Sequence, residues 1–190
     1  MKDAFSVILR EVQMYKKVPM VLAIDGRCAS GKTTLTARLK EELDCNVIHM
    51  DHFFLQPRQR TEARLKEPGG NVDYERFLEE VVHPFLEGKP FSYRVFDCKS
   101  MTFVSEIPVD LGRLTVVEGA YCCHPALWDF YDFRVFLTVD AEEQLRRIRC
   151  RNGEKALTTF RDLWIPLEEQ YFKEYDIEKR CDYVFTTFQD

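Results

Sequence analysis

The stretch that decides the fold is GRCASGKT, residues 26–33. It fits the pattern G-x-x-x-x-G-K-S/T, in which a tight loop leads from a strand into a helix and surrounds a phosphate with backbone N–H groups. The flanking sequence agrees, because residues 20–24 (MVLAI) are an apolar run typical of a buried strand and residues 34–43 have the apolar spacing of an amphipathic helix. The pattern and its context predict a phosphate-binding loop.

A triphosphate is bound best by backbone N–H groups that converge at a helix N-terminus, where the helix dipole adds a favourable potential. Gly26 and Gly31 allow the backbone to curl tightly. Lys32 is predicted to reach the β- and γ-phosphates, and the Thr33 hydroxyl is predicted to ligate Mg²⁺. The predicted cofactors are therefore ATP and Mg²⁺. The predicted nucleotide-binding residues are Gly26, Arg27, Cys28, Ala29, Ser30, Gly31, Lys32, Thr33 and Thr34.

Length and composition predict a small cytoplasmic enzyme made of one domain, residues 1–190. The net charge of -5 argues against a nucleic-acid binder, and no apolar stretch approaches the roughly 20 residues that span a bilayer. The first 17 residues predict an amphipathic surface helix rather than a signal peptide. The 7 cysteines lack C-x-x-C spacing, which predicts reduced thiols rather than disulfides or a zinc site.

Strand-like runs alternate with helical runs, as they do in a parallel sheet covered on both faces. The predicted sheet strands are residues 20–24, 46–50, 114–117, 134–139 and 183–185. The predicted helices are residues 33–43, 74–86, 141–151 and 158–175. Residues 91–109 predict a β-hairpin beside the sheet, and residues 56–71 are the longest irregular stretch. The predicted fold class is α/β, a P-loop NTPase-type five-stranded parallel sheet with helices on both faces and a small β-hairpin.

Two acidic residues follow predicted strands at the edge where open parallel sheets bind their ligands. Asp51 follows the second strand and is predicted to accept a proton from an attacking hydroxyl or to hold Mg²⁺ through water; the alternative is a turn or cap residue. Glu118 ends the third strand and is predicted to contact Mg²⁺ through water or to position the acceptor; the alternative is an acid in a solvated turn.

Basic residues cluster in residues 58–64 and 146–151. In a negatively charged protein such clusters favour a small phosphorylated ligand, while Arg58 and Arg60 fit a solvated helix face equally well. The second cluster precedes Asn152 and Gly153 and suits a mobile lid, whose arginines would neutralise charge on a transferred phosphoryl group. Since its arginines alternate along one helix, some of them must face solvent or acidic neighbours.

With these features in place, the chain resembles the uridine kinase-like P-loop kinases, whose relatives include pantothenate kinase and phosphoribulokinase. The matching segments are DGRCASGKTT, MDHFFL, EPGGNVDYERF, FSYRVFDC, VVEGAY and RRIRCRNG, at residues 25–34, 50–55, 67–77, 91–98, 116–121 and 146–153. The resemblance implies that Asp51 is the catalytic base and that Asp73 binds sugar hydroxyls. It also implies that the arginine run is the lid, and Arg147 and Arg151 are predicted to close over the phosphates.

The hairpin departs from the family pattern. Uridine-cytidine kinases typically follow a Tyr-Asp pair with a histidine, and both rings recognise the pyrimidine, but residues 96–101 contain no histidine. Tyr93 and Phe96 are the predicted aromatic contacts of a base, with ordinary hairpin core positions as the alternative for each. The resemblance therefore predicts a nucleoside-like acceptor more firmly than it predicts uridine.

The predicted activity is transfer of the γ-phosphoryl group of ATP to an alcohol group of a nucleoside, uridine or cytidine before others. One alternative is a kinase for another metabolite on the same scaffold, such as pantothenate, a sugar phosphate or nicotinamide riboside. A nucleotide-dependent regulatory switch is the other alternative, against which the chain has no N-K-x-D segment and no D-x-x-G after a strand. The expected partner is a small molecule, and a homo-oligomer stays open because enzymes of this kind often self-associate.

Overall fold

The computed structural model describes residues 4–187 and contains a five-stranded sheet beside a two-stranded hairpin. In chain order, the strands are β1 (Met20–Gly26), β2 (Cys45–His49), β3 (Phe91–Asp97), β4 (Thr102–Val109), β5 (Leu114–Glu118), β6 (Phe133–Val139) and β7 (Tyr183–Thr187). The sheet has the order β2-β5-β1-β6-β7, and all its neighbouring strands are parallel. Each predicted strand overlaps an observed one, which confirms the predicted sheet.

The helices are α1 (Ala4–Met14), α2 (Lys32–Glu42), α3 (Glu62–Lys66), α4 (Tyr74–Phe77), α5 (His83–Leu86), α6 (Ala141–Asn152), α7 (Glu154–Thr159), α8 (Ile165–Glu174) and α9 (Ile177–Arg180). A π-helical segment, Leu78–Val82, joins α4 to α5, and a second, Phe160–Trp164, joins α7 to α8. The helices predicted at residues 74–86 and 158–175 are therefore continuous helical runs, each with a π segment inside. In the described part of the chain, no helix is both long and apolar enough to cross a membrane.

Alternation along β1 divides the core into two layers. Val21 and Ala23 face one layer, whereas Leu22 and Ile24 face the other. The first layer also contains Phe77, Val81, Tyr171 and Phe172 from the helical runs at residues 74–86 and 154–174. The second also contains Phe5, Ile8, Val12 and Leu39 from α1 and α2. Helices therefore cover both faces of the sheet, as predicted, and α1 buries one side rather than lying only on the surface.

The hairpin and the segment before it frame one side of the sheet's carboxyl edge. β3 and β4 pair antiparallel, with an irregularity between Val95 and Phe96. The predicted irregular stretch, residues 56–71, is more ordered than expected, because it contains α3 and a 3-10 turn at Pro57–Gln59. Arg64 stabilises it by donating to the carbonyl oxygens of Gly70 (2.9 Å) and Val72 (3.0 Å).

Gly26 is the residue at which β1 turns into the phosphate-binding loop, and it leaves no room for a side chain. Its φ is +133°, and a Cβ there would lie 2.0 Å from the carbonyl oxygen of Leu137 on the neighbouring strand β6. We expect Gly26→Ala to lower the free energy of unfolding by about 3 kcal/mol, because backbone strain and overlap add. Urea unfolding measures the loss.

The matched control is Gly88→Ala, since Gly88 has a φ of +73° and open space around its missing Cβ. Gly88→Ala should lower the free energy of unfolding by only about 1 kcal/mol, because only the left-handed backbone conformation opposes a side chain there. Equal losses in the two variants would show that the contact with Leu137 does not select glycine at position 26.

Candidate active site

The loop between β1 and α2 has the conformation that a phosphate site needs. Ala29 has a φ of +59°, and Gly31, the residue before α2, has a φ of +94°. These left-handed residues direct the chain around a concave turn that ends at the helix N-terminus, where backbone N–H groups and the helix dipole favour an anion. The predicted phosphate loop is therefore present in the predicted strand-loop-helix context.

Lys32 lies within this loop rather than in solvent. Its Nζ donates to the carbonyl oxygens of Gly26 (2.7 Å) and Arg27 (2.9 Å), and the residue is 8% exposed. The ammonium thus stays inside the turn, next to the loop backbone. This position suits a cation that meets phosphate oxygens bound by the loop.

Side chains from other elements contact the loop and its Arg27 side chain. Arg27 donates to Glu169 through Nε (2.7 Å) and to Thr138 through Nη1 (2.7 Å). The backbone N–H of Cys28 donates to Oε2 of Glu168 (2.9 Å). The Arg27 side chain therefore points away from the loop's concave side, and only its backbone remains a candidate for nucleotide contact.

Glu118 joins the loop to the edge of the sheet. It ends β5 and is 5% exposed, and its Oε1 accepts from the Thr33 hydroxyl (3.2 Å). His49, the last residue of β2, is its register partner and places Nδ1 2.6 Å from the same oxygen. A hydroxyl and a carboxylate within hydrogen-bond distance are the hard oxygen donors that Mg²⁺ prefers, so Thr33 and Glu118 fit the predicted metal site.

Asp51 follows β2 in a 3-10 turn, Met50–Phe53, and opens into the same space. The side chain is exposed to the cavity, and the protein atoms around the cavity raise its pKa above the ordinary value for an aspartate by desolvation. The Glu118 carboxylate adds to the increase, while Lys32, His49 and Arg151 oppose it. An acid with a raised pKa in a cleft is a candidate proton acceptor.

These groups line one cavity of about 440 Å³. Its loop side is formed by Cys28, Ala29, Gly31, Lys32, Thr33 and Thr34. Asp51 and Glu118 lie at the carboxyl edge of the sheet, and the cavity is also lined by Phe54, Arg60, Tyr121, Arg151, Phe160, Trp164 and Glu168. The structure therefore brings together the predicted phosphate loop, the two predicted acids and one predicted lid arginine.

Arg147 lies elsewhere. Its Nη1 donates to the Ala29 carbonyl (3.2 Å) and to the Thr187 hydroxyl (3.0 Å), and its Nε donates to Glu143 (2.7 Å). It supports the loop from outside the cavity, whereas Arg151, one helical turn further along α6, lines the cavity. This placement differs from the predicted closure of both arginines over the phosphates, because Glu143 and the loop carbonyl bind the Arg147 guanidinium.

Two other arginines of the predicted lid are paired with acids. Arg146 contacts Glu143 (2.6 Å) and Arg149 contacts Glu154 (2.7 Å). The prediction that some arginines of this helix meet acidic neighbours is borne out. Arg60 instead lines the cavity and donates to the Leu55 carbonyl (3.0 Å).

Asp73 is not brought into the cavity. It is 2% exposed and begins α4, where it accepts from the backbone N–H of Arg76 (3.1 Å) and from Gln59 Nε2 (2.9 Å). In this structure Asp73 caps α4 and binds Gln59, and the sugar contact that the resemblance implies stays a prediction.

Tyr93 and Phe96 also lie outside the cavity. Tyr93 is 0% exposed and stacks on Phe53, with ring centroids 5.3 Å apart. Phe96 is 3% exposed and packs edge-on against Phe103 at 5.6 Å. Both are buried core residues of the hairpin, which was the alternative prediction for each. Strict alternation would place residues three apart on opposite faces, and the irregularity between Val95 and Phe96 turns both toward the interior.

A buried carboxylate stabilises the region between the loop and Glu118. Asp25 is 0% exposed and accepts from the backbone N–H of Gly26 (2.6 Å), Tyr121 (3.2 Å) and Cys123 (2.9 Å). Tyr171 donates its hydroxyl at 2.9 Å. Desolvation raises the pKa of Asp25, while two of these N–H groups oppose the increase. Its oxygens thus link β1 to the turn after β5, where Cys122 and Cys123 are buried packing residues.

Sequence reasoning did not identify His49 or the side chains Phe160, Trp164 and Glu168 as parts of the site. His49 meets Glu118 only through the pairing of β2 with β5. The other three share a spacing of four residues, which indicates a common helix face. That spacing was the available signal, although it does not say which surface the face covers.

Comparison with known proteins places these features in context. No protein-family model matches the chain. It is 26% identical over 174 residues to uridine kinase-like protein 5 of Arabidopsis thaliana, which covers 83% of this chain and 37% of that protein. It is 27% identical over 152 residues to a uridine kinase of Oceanobacillus iheyensis, covering 73% and 70% of the two chains. A solved structure described as a possible uridine kinase from Bacillus stearothermophilus has a TM-score of 0.71 at 22% identity, covering 95% of this chain and 96% of that one.

The chain therefore resembles uridine kinases over most of its length, and the structural likeness shows the P-loop kinase fold. It spans 37% of the Arabidopsis protein, and so carries only part of what that protein contains. These similarities support the interpretation that the chain is a kinase, that is, a phosphotransferase.

Proposed function

We propose that this protein transfers the γ-phosphoryl group of ATP to a hydroxyl group of a nucleoside, with uridine and cytidine as the first candidates. One observation supports the proposal above the others: a single cavity is lined by the phosphate loop, Asp51 and Glu118. Phosphoryl transfer needs little covalent chemistry from a protein, so these groups act by positioning and by electrostatic stabilisation. The resemblance to uridine kinases supports the nucleoside as acceptor.

The loop would bind the triphosphate. Its backbone N–H groups and the N-terminus of α2 favour the negative phosphate oxygens, and Lys32 would exchange its contacts with the Gly26 and Arg27 carbonyls for contacts with the β- and γ-phosphates. Arg151 lines the cavity and carries no acid partner comparable to those of Arg146 and Arg149 among the ion pairs of the described residues. It is our candidate for neutralising charge on the transferred group.

Thr33 and Glu118 would hold Mg²⁺, which when bound neutralises charge on the phosphates. Asp51 would accept the proton of the acceptor hydroxyl, which it can do only when ionised. The pKa of Asp51 is raised toward neutral pH, and a base whose pKa lies nearer the working pH accepts a proton more effectively. Asp73 and Arg147 have no part in the proposal, since their contacts lie elsewhere.

Replacement of Glu118 by glutamine tests the metal site. We expect the Mg²⁺ concentration for half-maximal activity to rise about tenfold, because the variant loses the negative charge that attracts the cation. The measurement is a Mg²⁺ titration at saturating ATP. The exposed Glu79 provides the control Glu79→Gln, which should titrate like the wild type. Activity that stays low in excess Mg²⁺ would contradict a role in metal binding.

The experiment that tests the proposed function is Mg²⁺-dependent ADP release from ATP across a panel of acceptors. The panel contains uridine, cytidine, purine nucleosides, nicotinamide riboside, pantothenate and sugar phosphates, and mass spectrometry identifies any phosphorylated product. A nucleoside monophosphate supports the proposal. Slow hydrolysis of ATP without phosphorylation of any acceptor would overturn it and favour the regulatory switch.

A further inference from the structure

The helical run from α7 to α8 presents three side chains to the cavity, namely Phe160, Trp164 and Glu168. Residues four apart on a helix are neighbours on one face. The first two residues bound the π segment Phe160–Trp164, and single π turns inside helices occur frequently at functional sites. We call this set the acceptor wall.

The aromatic part of the acceptor wall is not explained by core packing. Phe160 and Trp164 are each partly exposed, and both line the cavity. Phe54, from the segment after Asp51, lines the same cavity. Aromatic rings with a face open to a cavity bind flat apolar or heteroaromatic groups, and they bind sugars and aliphatic chains less well.

The polar part of the wall is a carboxyl group. Glu168 is 5% exposed and accepts from the backbone N–H of Cys28. A carboxylate has about four acceptor positions on two oxygens, so its hydrogen bonds with Cys28 leave acceptor capacity, and Glu168 lines the cavity. Desolvation raises the pKa of Glu168 to about 7, partly offset by Lys32. A buried acid of this kind favours a ligand that donates N–H and disfavours a carboxylate or a second phosphate.

The phosphate loop and Asp51 fix where the reacting hydroxyl lies, and the acceptor wall lies in the same cavity as both. We propose that a flat heteroaromatic ring of the acceptor stacks on Trp164 and Phe160 and donates an N–H to Glu168, so that these three residues determine the acceptor. This inference rests on the proposed function. It favours nucleosides over pantothenate and sugar phosphates, and it assigns base recognition to a helix rather than to the hairpin.

Binding can be measured without catalysis, because the chain has 2 tryptophans. Trp128 stacks against Arg134 and Arg180 outside the cavity, so a Trp128→Phe variant leaves Trp164 as the only tryptophan. We expect its fluorescence to change saturably with at least one of uridine, cytidine, adenosine and guanosine, and not with ribose. No change with any nucleoside, or the same change with ribose, would overturn the inference.

Steady-state kinetics provide the second readout. Trp164→Leu and Glu168→Gln should each raise the KM for the acceptor about tenfold and leave the KM for ATP unchanged, since the loss of base stacking or of a buried hydrogen bond is in each case large enough. Glutamine can still accept from Cys28, so it preserves support of the loop. Leu163→Ala is the control, because Leu163 is 45% exposed and lies on the same π segment outside the cavity.

The outcomes separate this inference from the proposed function. An unchanged acceptor KM in both variants, or an equal rise in the KM for ATP, would overturn the acceptor wall while leaving the kinase intact. If the wild type phosphorylates no nucleoside, the proposed function fails, and the fluorescence titration still decides whether the wall binds a heteroaromatic ring.

Discussion

Replacement of Asp51 by asparagine is expected to lower kcat about a thousandfold and to leave the KM for ATP nearly unchanged. A general base contributes mainly in the transition state, and asparagine keeps the shape of the side chain without accepting a proton. Asp51 follows β2 and lines the cavity beside Glu118 and Lys32, so its loss removes the proposed proton acceptor and little of the nucleotide site. Steady-state kinetics with both substrates varied measure the effect.

The control is Asp44→Asn. Asp44 is exposed and precedes β2, at the opposite end of the strand from Asp51. It should keep wild-type activity. Unchanged turnover in Asp51→Asn would exclude Asp51 as the base, and a large rise in the KM for ATP would indicate a role in nucleotide binding instead.

The pH profile provides an independent check on Asp51. The residue must be ionised to accept a proton, and desolvation raises its pKa. Wild-type activity should therefore rise as the pH increases through the pKa of Asp51. This acidic limb should lie at a higher pH than it would for an aspartate with an ordinary pKa. The residual activity of Asp51→Asn should lack this acidic limb.

Replacement of Lys32 by alanine should lower kcat/KM for ATP by about a thousandfold. The ammonium lies inside the loop, 2.7 Å from the Gly26 carbonyl, where it can meet the phosphates from the ground state to the transition state. Unlike Asp51→Asn, this variant should show weaker ATP binding as well as slower turnover. Isothermal titration with ATP, together with kinetics, separates the two effects.

Lys40→Ala is the matched control, since Lys40 lies on the same helix, α2, is exposed and is in its last turn. It should retain both ATP affinity and turnover. Because Lys32 also binds two loop carbonyls, urea unfolding must show that Lys32→Ala remains folded. A folded Lys32→Ala variant with normal activity would overturn the assignment of the phosphate loop.

The phosphate loop could be predicted because its chemistry belongs to the backbone over eight consecutive positions. Glycines at positions 26 and 31 permit φ values of +133° and +94°, and no distant contact is needed to recognise that pattern. The positions of Asp51 and Glu118 could be predicted because the carboxyl ends of parallel strands lie at one edge of the sheet, where ligands bind. The order of strands and helices followed from hydrophobic periodicity.

The side chains around the acceptor could not be predicted in the same way. Strict alternation along β3 predicts that Tyr93 and Phe96, three residues apart, lie on opposite faces, yet the irregularity between Val95 and Phe96 lets both turn inward. The spacing of Phe160, Trp164 and Glu168 indicates a common helix face but does not say which surface that face covers. Each case was decided by which other element packs against the face.

The arginines of α6 show most clearly what a sequence pattern cannot predict. Composition and spacing predict a basic helix, and α6 spans Ala141–Asn152 as expected. Only its packing against the loop directs Arg147 to the Ala29 carbonyl, while Arg151 reaches the cavity. A charge pattern gives the sign of the potential around a helix but not the partner of each side chain.

By itself, the sequence determined the phosphate-binding loop, the parallel α/β fold and the acidic residues at its carboxyl edge. These features depend on local backbone geometry and on periodic burial, which neighbouring residues encode. The tertiary structure alone decided that Glu118 meets His49 and Thr33, that the hairpin aromatics are buried, and that the π segment before α8 and α8 itself line the cavity. Those contacts join residues far apart in the chain, and only the packing of whole elements brings them together.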